Sequence, residues 1–128
     1  MMKFIIFEPS KEHRKKLMQA VRSHMKAMGA RKLEFECFEP GDVFSQQMPE
    51  EARAAFFTLG SMYDLEAARH FGKLRNGIPI IVVSDSGEYG LEGYDFAEYY
   101  LLRPFSEEQL GSALRKCAML RMGCGPAF

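Results

Sequence analysis

The sequence lacks the cysteine pattern of a disulfide-stabilised or zinc-binding protein. It has three cysteines, Cys37, Cys117 and Cys124, which are odd in number, lie far apart and never form a CxxC pair. This spacing argues against both a disulfide framework and a zinc knuckle. We therefore predict that the cysteines are reduced thiols.

An excess of charge of either sign is also absent. The 128 residues carry 17 lysines and arginines against 17 aspartates and glutamates, so the formal net charge is zero. No overall basic field recruits nucleic acid or a membrane surface. Long apolar runs are missing too, since IPIIVVS (78–84) is far shorter than the roughly 20 residues of a membrane-spanning helix, and the start lacks a signal-peptide hydrophobic region. These absences predict a cytoplasmic protein that binds neither nucleic acid nor membranes.

The hydrophobic content of 47% is enough for one compact domain, and the length is too short for two. We predict a domain over residues 1–122 and a flexible tail over residues 123–128, where GCGPAF is expected to fray. No repeat, low-complexity tract or linker competes with this single-domain interpretation.

Apolar runs typical of strands alternate with segments typical of helices. The five runs are KFIIF (3–7), KLEFECF (32–38), AAFFTL (54–59), IPIIVVS (78–84) and YYLL (99–102). The second run alternates apolar and acidic residues, as expected of an edge strand, whereas the fourth is apolar on both faces, as expected of a central parallel strand. Strands that alternate with helices predict a parallel sheet with right-handed crossovers.

Five helical segments fill the connections. The first follows a cap at Ser10, carries Leu17, Val21, Met25 and Met28 on one stripe and ends near Gly29. The segment PGDVFSQQM (40–48) holds only a short helix, and a third helix is expected over about residues 64–74 with Asp64 as its cap. GEYGLEGYDFAE (87–98) is a weak fourth helix because it holds three glycines. The fifth is the best signalled, since Ser106 and Gln109 are spaced as a capping box.

The functional crevice of such a sheet lies at the carboxyl ends of the strands, where the strand order switches. The loops to inspect are therefore Glu8 and Pro9, 58–61, 84–86, and Arg103 and Pro104. The third of the five strands ends in Thr58, and residues 54–63 contain no acid. A carboxylate for phosphate or metal chemistry is thus missing where this strand ends.

The segment IPIIVVSDSGEYGLEGYDFAEYYLLRPFSEEQL, together with MKFIIFEPS at the start, resembles the receiver domains of bacterial response regulators. It is most similar to receivers joined to LytTR-type DNA-binding domains, and the resemblance covers about residues 2–121. It implies an α/β fold: a (βα)5 doubly wound five-stranded parallel sheet, the flavodoxin-like or CheY-like three-layer sandwich.

The resemblance assigns roles to individual positions. Ser84 and Tyr100 match the switch serine or threonine and the switch aromatic, Arg103 matches the invariant lysine, and Pro104 matches the proline after it. Active receivers hold magnesium with two adjacent acids after the first strand and an aspartate that ends the third, and that aspartate accepts the phosphoryl group. Here Glu8 and Pro9 stand for the two acids, and Thr58 stands at the phosphoacceptor position.

These departures predict that the phosphorylation chemistry is lost. One glutamate beside a proline is a poor substitute for three acids, so magnesium binding should be weak or absent, and we predict no cofactor and no enzymatic activity. Threonine is a weak nucleophile without an adjacent base, and none of His13, His24 and His70 is expected at this end of the sheet. We expect Arg103 to form a fixed ion pair with Glu8 that mimics part of the occupied site.

The remaining signals concern protein partners. Between residues 11 and 32 the sequence has a basic stripe, with Glu12 as the only acid: Lys11, Arg14, Lys15, Lys16, Arg22, Lys26, Arg31 and Lys32. The predicted fourth helix is acidic, with Glu88, Glu92, Asp95 and Glu98. Opposite charges on separate helices suit oriented docking, although a charged run is more often a solvated face.

The resemblance implies two protein-binding surfaces. The first helix would meet a histidine kinase or phosphotransfer partner, and the fourth helix, fifth strand and fifth helix would form a homodimer or output face. Tyr89, Tyr94 and Tyr99 are the interface candidates, with a role in the local core as the equal alternative.

The sequence therefore predicts a non-phosphorylatable pseudo-receiver of bacterial two-component signal transduction that acts by protein binding. Two alternatives stay open: a divergent receiver that is still phosphorylated, and a sensor whose altered acidic pocket accepts a small molecule.

Overall fold

The computed structural model describes residues 2–74, 77–87 and 96–121. Five strands form one parallel sheet: β1 (Met2–Phe7), β2 (Leu33–Phe38), β3 (Ala54–Thr58), β4 (Ile80–Ser84) and β5 (Tyr99–Leu102). Their order across the sheet is β2-β1-β3-β4-β5. The predicted doubly wound α/β fold is confirmed, with β2 and β5 at the edges and the order switching between β1 and β3.

Four helices are described: α1 (Lys11–Ala27), α2 (Asp42–Ser45), α3 (Met62–Gly72) and α4 (Glu107–Arg121). Helix α4 is the fifth helix of the sequence prediction. Most of the predicted fourth helix (residues 88–95) and the predicted tail (123–128) lie outside the described residues. Within the described part of the chain, no helix is both long and apolar enough to cross a membrane.

The helix ends follow the capping residues of the sequence. The Ser10 hydroxyl accepts a hydrogen bond from the His13 amide at 3.2 Å and so begins α1. At α4, the Ser106 amide donates to the Gln109 side chain at 2.8 Å, and the Gln109 amide donates to the Ser106 hydroxyl at 3.1 Å. This is the predicted capping box. After α1, Gly29 turns the chain with a φ of 92°, which glycine adopts without steric cost.

Two boundary predictions were wrong. Helix α3 begins at Met62, and its N-cap is Ser61, whose hydroxyl accepts from the Asp64 amide at 3.2 Å. Asp64 instead lies in the first turn, and its carboxylate accepts from the Gly60 amide at 2.8 Å. Met28 does not continue the apolar stripe of α1, because it follows the last helical residue and is 65% exposed.

Side chains alternate between the two faces of the sheet, and each face has its own core. Helices α1 and α4 cover one face, whose core includes Phe4, Ile6, Leu17, Val21, Phe56, Val83, Leu101, Leu110 and Cys117. Helix α3 covers the other, whose core includes Ile5, Phe7, Phe57, Leu65, Phe71 and Val82. On this second face the rings of Phe7 and Phe57 stack at 4.0 Å. Burial raises the pKa of the Cys117 thiol to about 12, which makes it unreactive, and Cys37 is free as well.

Helix α2 spans only four residues and leaves one corner of the second face without a helix over it. Lys3 on β1 lies there between two glutamates of β2, with its Nζ 3.2 Å from Glu36 and 3.7 Å from Glu34. We call these three residues the corner cluster. They line a wide, open groove. The acidic positions of KLEFECF therefore belong to an edge strand whose charged face meets solvent.

Candidate functional site

The candidate site lies where the strands end. Because parallel strands end at the same edge of the sheet, Glu8 after β1, Thr58 at the end of β3, Ser84 at the end of β4 and Arg103 after β5 come together. Glu8 and Thr58 lie on the two strands between which the order switches. The structure thus brings together four of the positions that the sequence predicted for the crevice.

Glu8 is a buried carboxylate with a hydrogen-bond donor on each oxygen. Its Oε1 accepts from the Thr58 hydroxyl at 2.8 Å and from Arg103 Nη1 at 3.1 Å. Its Oε2 accepts from the Ser10 amide at 2.9 Å. A buried carboxylate requires such partners, since an unpaired buried charge is costly. The predicted ion pair between Glu8 and Arg103 is present.

Arg103 connects the buried Glu8 to the surface residue Asp85. Its Nε donates to Asp85 Oδ1 at 2.9 Å and its Nη2 to Asp85 Oδ2 at 3.2 Å, a bidentate contact that a lysine cannot make. The Arg103 side chain is 19% exposed, whereas that of Asp85 is 72% exposed. The hydrogen bonds from Arg103 hold the pKa of Asp85 below its ordinary value. The peptide bond between Arg103 and Pro104 is cis, and the Pro104 side chain is exposed.

One histidine does lie at this edge of the sheet, contrary to the sequence prediction. His13 Nδ1 is 4.0 Å from Glu8 Oε1, because the first turn of α1 starts at the same edge. In the same turn, Arg14 Nη1 donates to the Glu8 carbonyl oxygen at 3.0 Å. The Ser10 cap was the signal that could have found them, since it fixes the next three or four residues beside Glu8.

Ser84 is buried and hydrogen-bonded rather than open to solvent. Its hydroxyl donates to the Leu59 carbonyl at 3.2 Å and accepts from the Ser86 amide at 3.2 Å. Tyr100 is half-buried, and its hydroxyl donates to the Ser86 carbonyl at 2.9 Å. Ser84 and Tyr100 therefore both contact Ser86 in the short loop after β4.

The other predicted residues do not join this cluster of contacts. Pro9 is exposed beside Glu8 and offers no ligand atom from its side chain. Tyr99 is half-buried on β5 and packs against the core under α1 and α4. Tyr89 and Tyr94 lie outside the described residues, so their interface role stays a prediction.

The site does not fit a magnesium ion. Magnesium prefers a near-octahedral set of oxygen ligands that usually includes one or two carboxylates. Both oxygens of Glu8 already accept hydrogen bonds: Oε1 from Thr58 and Arg103, and Oε2 from Ser10. Among residues 2–74, 77–87 and 96–121, no three histidine, cysteine or acidic side chains are grouped so that they could hold a metal. The cation at the centre of this site is the Arg103 guanidinium.

Thr58 differs from the sequence expectation in one chemical respect. Threonine was expected to have no adjacent base, but its hydroxyl donates directly to the Glu8 carboxylate. The same carboxylate oxygen also accepts from Arg103, and Thr58 itself is buried. The arrangement is therefore a closed network of hydrogen bonds in which the hydroxyl serves as a donor.

Comparison with solved structures establishes the fold. The response regulatory domain of MrkE from Klebsiella pneumoniae is 20% identical, with a TM-score of 0.73 over 94% of this chain and 99% of that one. A CheY-like response regulator receiver domain protein from Methanospirillum hungatei is 17% identical, with a TM-score of 0.74 over 96% and 98% of the two chains.

A third structure of this fold contains a metal. The response regulator TrrA from Thermotoga maritima, in complex with Mg²⁺ and BeF, is 17% identical, with a TM-score of 0.69 over 91% of this chain and 99% of that one. No protein-family model and no curated protein sequence matches this chain. The receiver-like, CheY-like fold implied by the resemblance is thus confirmed by structure.

Proposed function

We propose that this chain is a non-phosphorylatable pseudo-receiver of bacterial two-component signal transduction, which acts in the cytoplasm by binding protein partners. One observation carries the proposal: Glu8 is hydrogen-bonded to Thr58 and ion-paired with Arg103, where receivers need free carboxylates for magnesium and the phosphoryl group. The similarity to solved receiver domains supports the two-component setting. The motif YYLLRPFSEEQL, which spans β5 and the first turn of α4, supports a relationship to receivers of LytTR-type regulators.

The hydrogen bonds of Glu8 support the proposal that this site does not accept a phosphoryl group. Phosphoryl transfer needs a metal to neutralise the developing charge and an acceptor in line with the donor. Here the Arg103 guanidinium, rather than a metal ion, supplies the positive charge beside Glu8. The acceptor position holds the Thr58 hydroxyl, which donates a hydrogen bond to the Glu8 carboxylate. A phosphoryl donor would have to break the Glu8 contacts before it met any acceptor.

Incubation with Mg²⁺ and acetyl phosphate tests this proposal directly. The intact mass should stay unchanged, because no acceptor carboxylate lies at the end of β3. A phosphorylatable receiver treated in the same way is the positive control. A stoichiometric phosphoryl adduct would refute the pseudo-receiver proposal.

A second candidate, a divergent receiver that is still phosphorylated, is favoured by one contact. The Thr58 hydroxyl lies 2.8 Å from Glu8 Oε1, within the distance at which a carboxylate can accept its proton. An adduct that maps to Thr58 and disappears in Thr58→Val would establish this candidate. An adduct that persists in Thr58→Val would place the acceptor elsewhere and exclude Thr58 as the phosphorylated residue.

A repair experiment tests the placement of the site. The double variant Thr58→Asp, Pro9→Asp returns two carboxylates beside Glu8, so magnesium binding should recover in part. Recovery stays partial because Arg103 competes for Glu8 and Asp85. Adding Arg103→Lys removes the guanidinium that bonds to both acids, and it should strengthen magnesium binding further. A folded triple variant that binds magnesium no better than the parent would show that this crevice is wrongly assigned.

The partners we propose are a histidine kinase or phosphotransfer protein at α1, and an output domain or second copy at the surface of β5 and α4. The exposed lysines and arginines of α1 support the first contact. For the second, sedimentation at tens of micromolar should detect a dimer that Tyr99→Asp weakens, with Tyr63→Asp on α3 as the control. A strict monomer would assign Tyr99 to the core alone.

A further inference from the structure

A recess opens between α1 and the connection from β5 to α4, beside the candidate site. Its volume is about 400 Å³. The floor is apolar and consists of Leu17 and Ala20 from α1, Val83 from β4, and Phe105. The polar part of the lining, which we call the rim, consists of His13, Lys16, Asp85 and Arg103. Ligand pockets in proteins have this character, an apolar lining with a few polar groups, and volumes from about 300 Å³ upwards.

The recess exists because of the spacing along α1. Lys16 and Leu17 follow His13 by three and four residues, and Ala20 follows Leu17 by three, so the four residues share one face of the helix. Leu17 is buried, and Ala20, whose side chain is a single methyl group, lines the recess together with Phe105. A longer side chain at residue 20 would fill this space.

One cation of the recess is open to an anion. Arg103 is already paired with Glu8 and Asp85, so Lys16 is the cation of the lining that can meet a ligand, with the His13 imidazole one helical turn before it. Asp85 is the acid of the lining, and both of its oxygens accept hydrogen bonds from Arg103. Lys16 pairs with Glu12 at 3.2 Å, but both side chains are at least 70% exposed, so this contact is weak and easily exchanged.

We propose that this recess binds a small organic anion, with a carboxylate or phosphate group at Lys16 and His13 and an apolar body over Ala20, Val83 and Phe105. The ligand would join α1 to the loop that carries Arg103. The proposal does not depend on whether Thr58 accepts a phosphoryl group, because the recess lies outside the contacts among Glu8, Thr58 and Ser10. The proposed site also differs from the acidic pocket, since its anionic ligand would contact Lys16 rather than Glu8.

The test is an NMR titration of the ¹⁵N-labelled chain with 2-naphthoate and, separately, 2-naphthyl phosphate. Either probe should shift the amide signals of Ala20, Val83 and Phe105 with a Kd below about 1 mM. The two probes distinguish a carboxylate site from a phosphate site. The neutral isostere 2-naphthamide should bind about tenfold more weakly, as expected when a charge-assisted contact is lost.

Two variants locate the site, and one serves as the matched control. Lys16→Gln should weaken 2-naphthoate binding about tenfold, and Ala20→Leu should weaken it by at least that factor because the leucine occupies the floor. Lys26→Gln removes a positive charge from the same helix, away from the recess, and should leave binding unchanged. Circular dichroism establishes that each variant is folded, and if Ala20→Leu unfolds, Lys16→Gln alone decides.

Three results would overturn the proposal. One is equal affinity for 2-naphthoate and 2-naphthamide, which would mean that the rim does not recognise charge. Another is an equal loss in Lys16→Gln and Lys26→Gln, which would mean that the anion responds only to the general charge of α1. The third is the lack of amide shifts at the recess with either anionic probe up to about 5 mM.

Discussion

The sheet carries two clusters of ion pairs, one at each end of its strands, and they differ in almost every physical respect. The site cluster, made of Glu8, Thr58, Asp85 and Arg103, centres on a buried carboxylate and an arginine that makes hydrogen bonds to two acids. The corner cluster has a lysine between two glutamates that are about 40% exposed. The ion pairs of both clusters have nitrogen–oxygen distances between 2.9 and 3.7 Å. Distance alone therefore does not show which pair contributes more to stability.

The difference comes from solvent. An exposed pair gains little, because water already solvates both ions and salt screens them. A buried carboxylate has lost its water, so removing one of its partners leaves an unsatisfied charge. We therefore expect the same kind of mutation to cost much more stability in the site cluster than in the corner cluster.

The largest effect is expected for the buried acid. Glu8→Ala should destabilise the chain by roughly 3 kcal/mol, because it breaks a buried ion pair and leaves Arg103 and Thr58 without their shared acceptor. Glu36→Ala in the corner cluster should cost no more than about 0.5 kcal/mol. Urea denaturation of both variants measures the contrast. Similar losses would mean that the site cluster is as well solvated as the corner.

A smaller effect is expected for the hydroxyl that shares this acceptor. Thr58→Val keeps the side-chain shape but removes the donor to Glu8, and should cost about 1 to 2 kcal/mol. The same change in a Glu8→Ala background should cost much less, since the partner is already gone. If Thr58→Val costs as much stability in Glu8→Ala as in wild type, the loss comes from packing in β3 rather than from the hydrogen bond to Glu8.

The next effect appears on the acid side of the pH scale. Arg103 holds the pKa of Asp85 below its ordinary value, so this pair stabilises the fold above about pH 4 and the contribution disappears as the pH falls through the lower folded-state pKa. Wild type should therefore exceed Asp85→Asn in stability at about pH 6, with the difference shrinking below about pH 4. A difference that stayed constant across this range would exclude the ion pair as its source.

The smallest effect lies at the alkaline end. The hydrogen bond from Lys3 to Glu36, with help from Glu34, raises the pKa of Lys3. Its contribution is present below about pH 10 and disappears as the pH rises through the higher folded-state pKa. Comparison of wild type with Lys3→Gln between about pH 8 and 11 should show a small difference that also shrinks in 1 M NaCl. Insensitivity to salt would mean that the corner is less exposed than the structure indicates.

The fold was predictable because the strong signals of the sequence are local. Apolar runs, the Ser10 cap, Gly29 and the capping box at Ser106 each depend on a few neighbouring residues, and the structure agrees with them. The start of α3 was missed for a related reason. Ser61 and Asp64 both carry oxygens that can cap a helix, and only the backbone decides which one does.

The site was predictable in its members but not in its bonding. The strand ends placed Glu8, Thr58, Ser84 and Arg103 together, because parallel strands share an edge. The hydrogen bond from Thr58 to Glu8 joins residues 50 positions apart, and no local pattern predicts it. His13 was missed although the Ser10 cap, which places the first turn of α1 next to Glu8, was a local signal for it.

The edge strand β2 has a consequence for the chain in concentrated solution. At neutral pH the formal net charge is zero, so molecules do not repel one another through their overall charge. An edge strand exposes backbone groups that can template pairing with another molecule, and four of the six residues of β2 are apolar. Glu34 and Glu36 share Lys3 as their ion-pair partner, so each such edge keeps one negative charge in excess, and two copies that approached through β2 would meet like charges. The acidic residues of β2 therefore oppose edge-to-edge association at the strand where it would start.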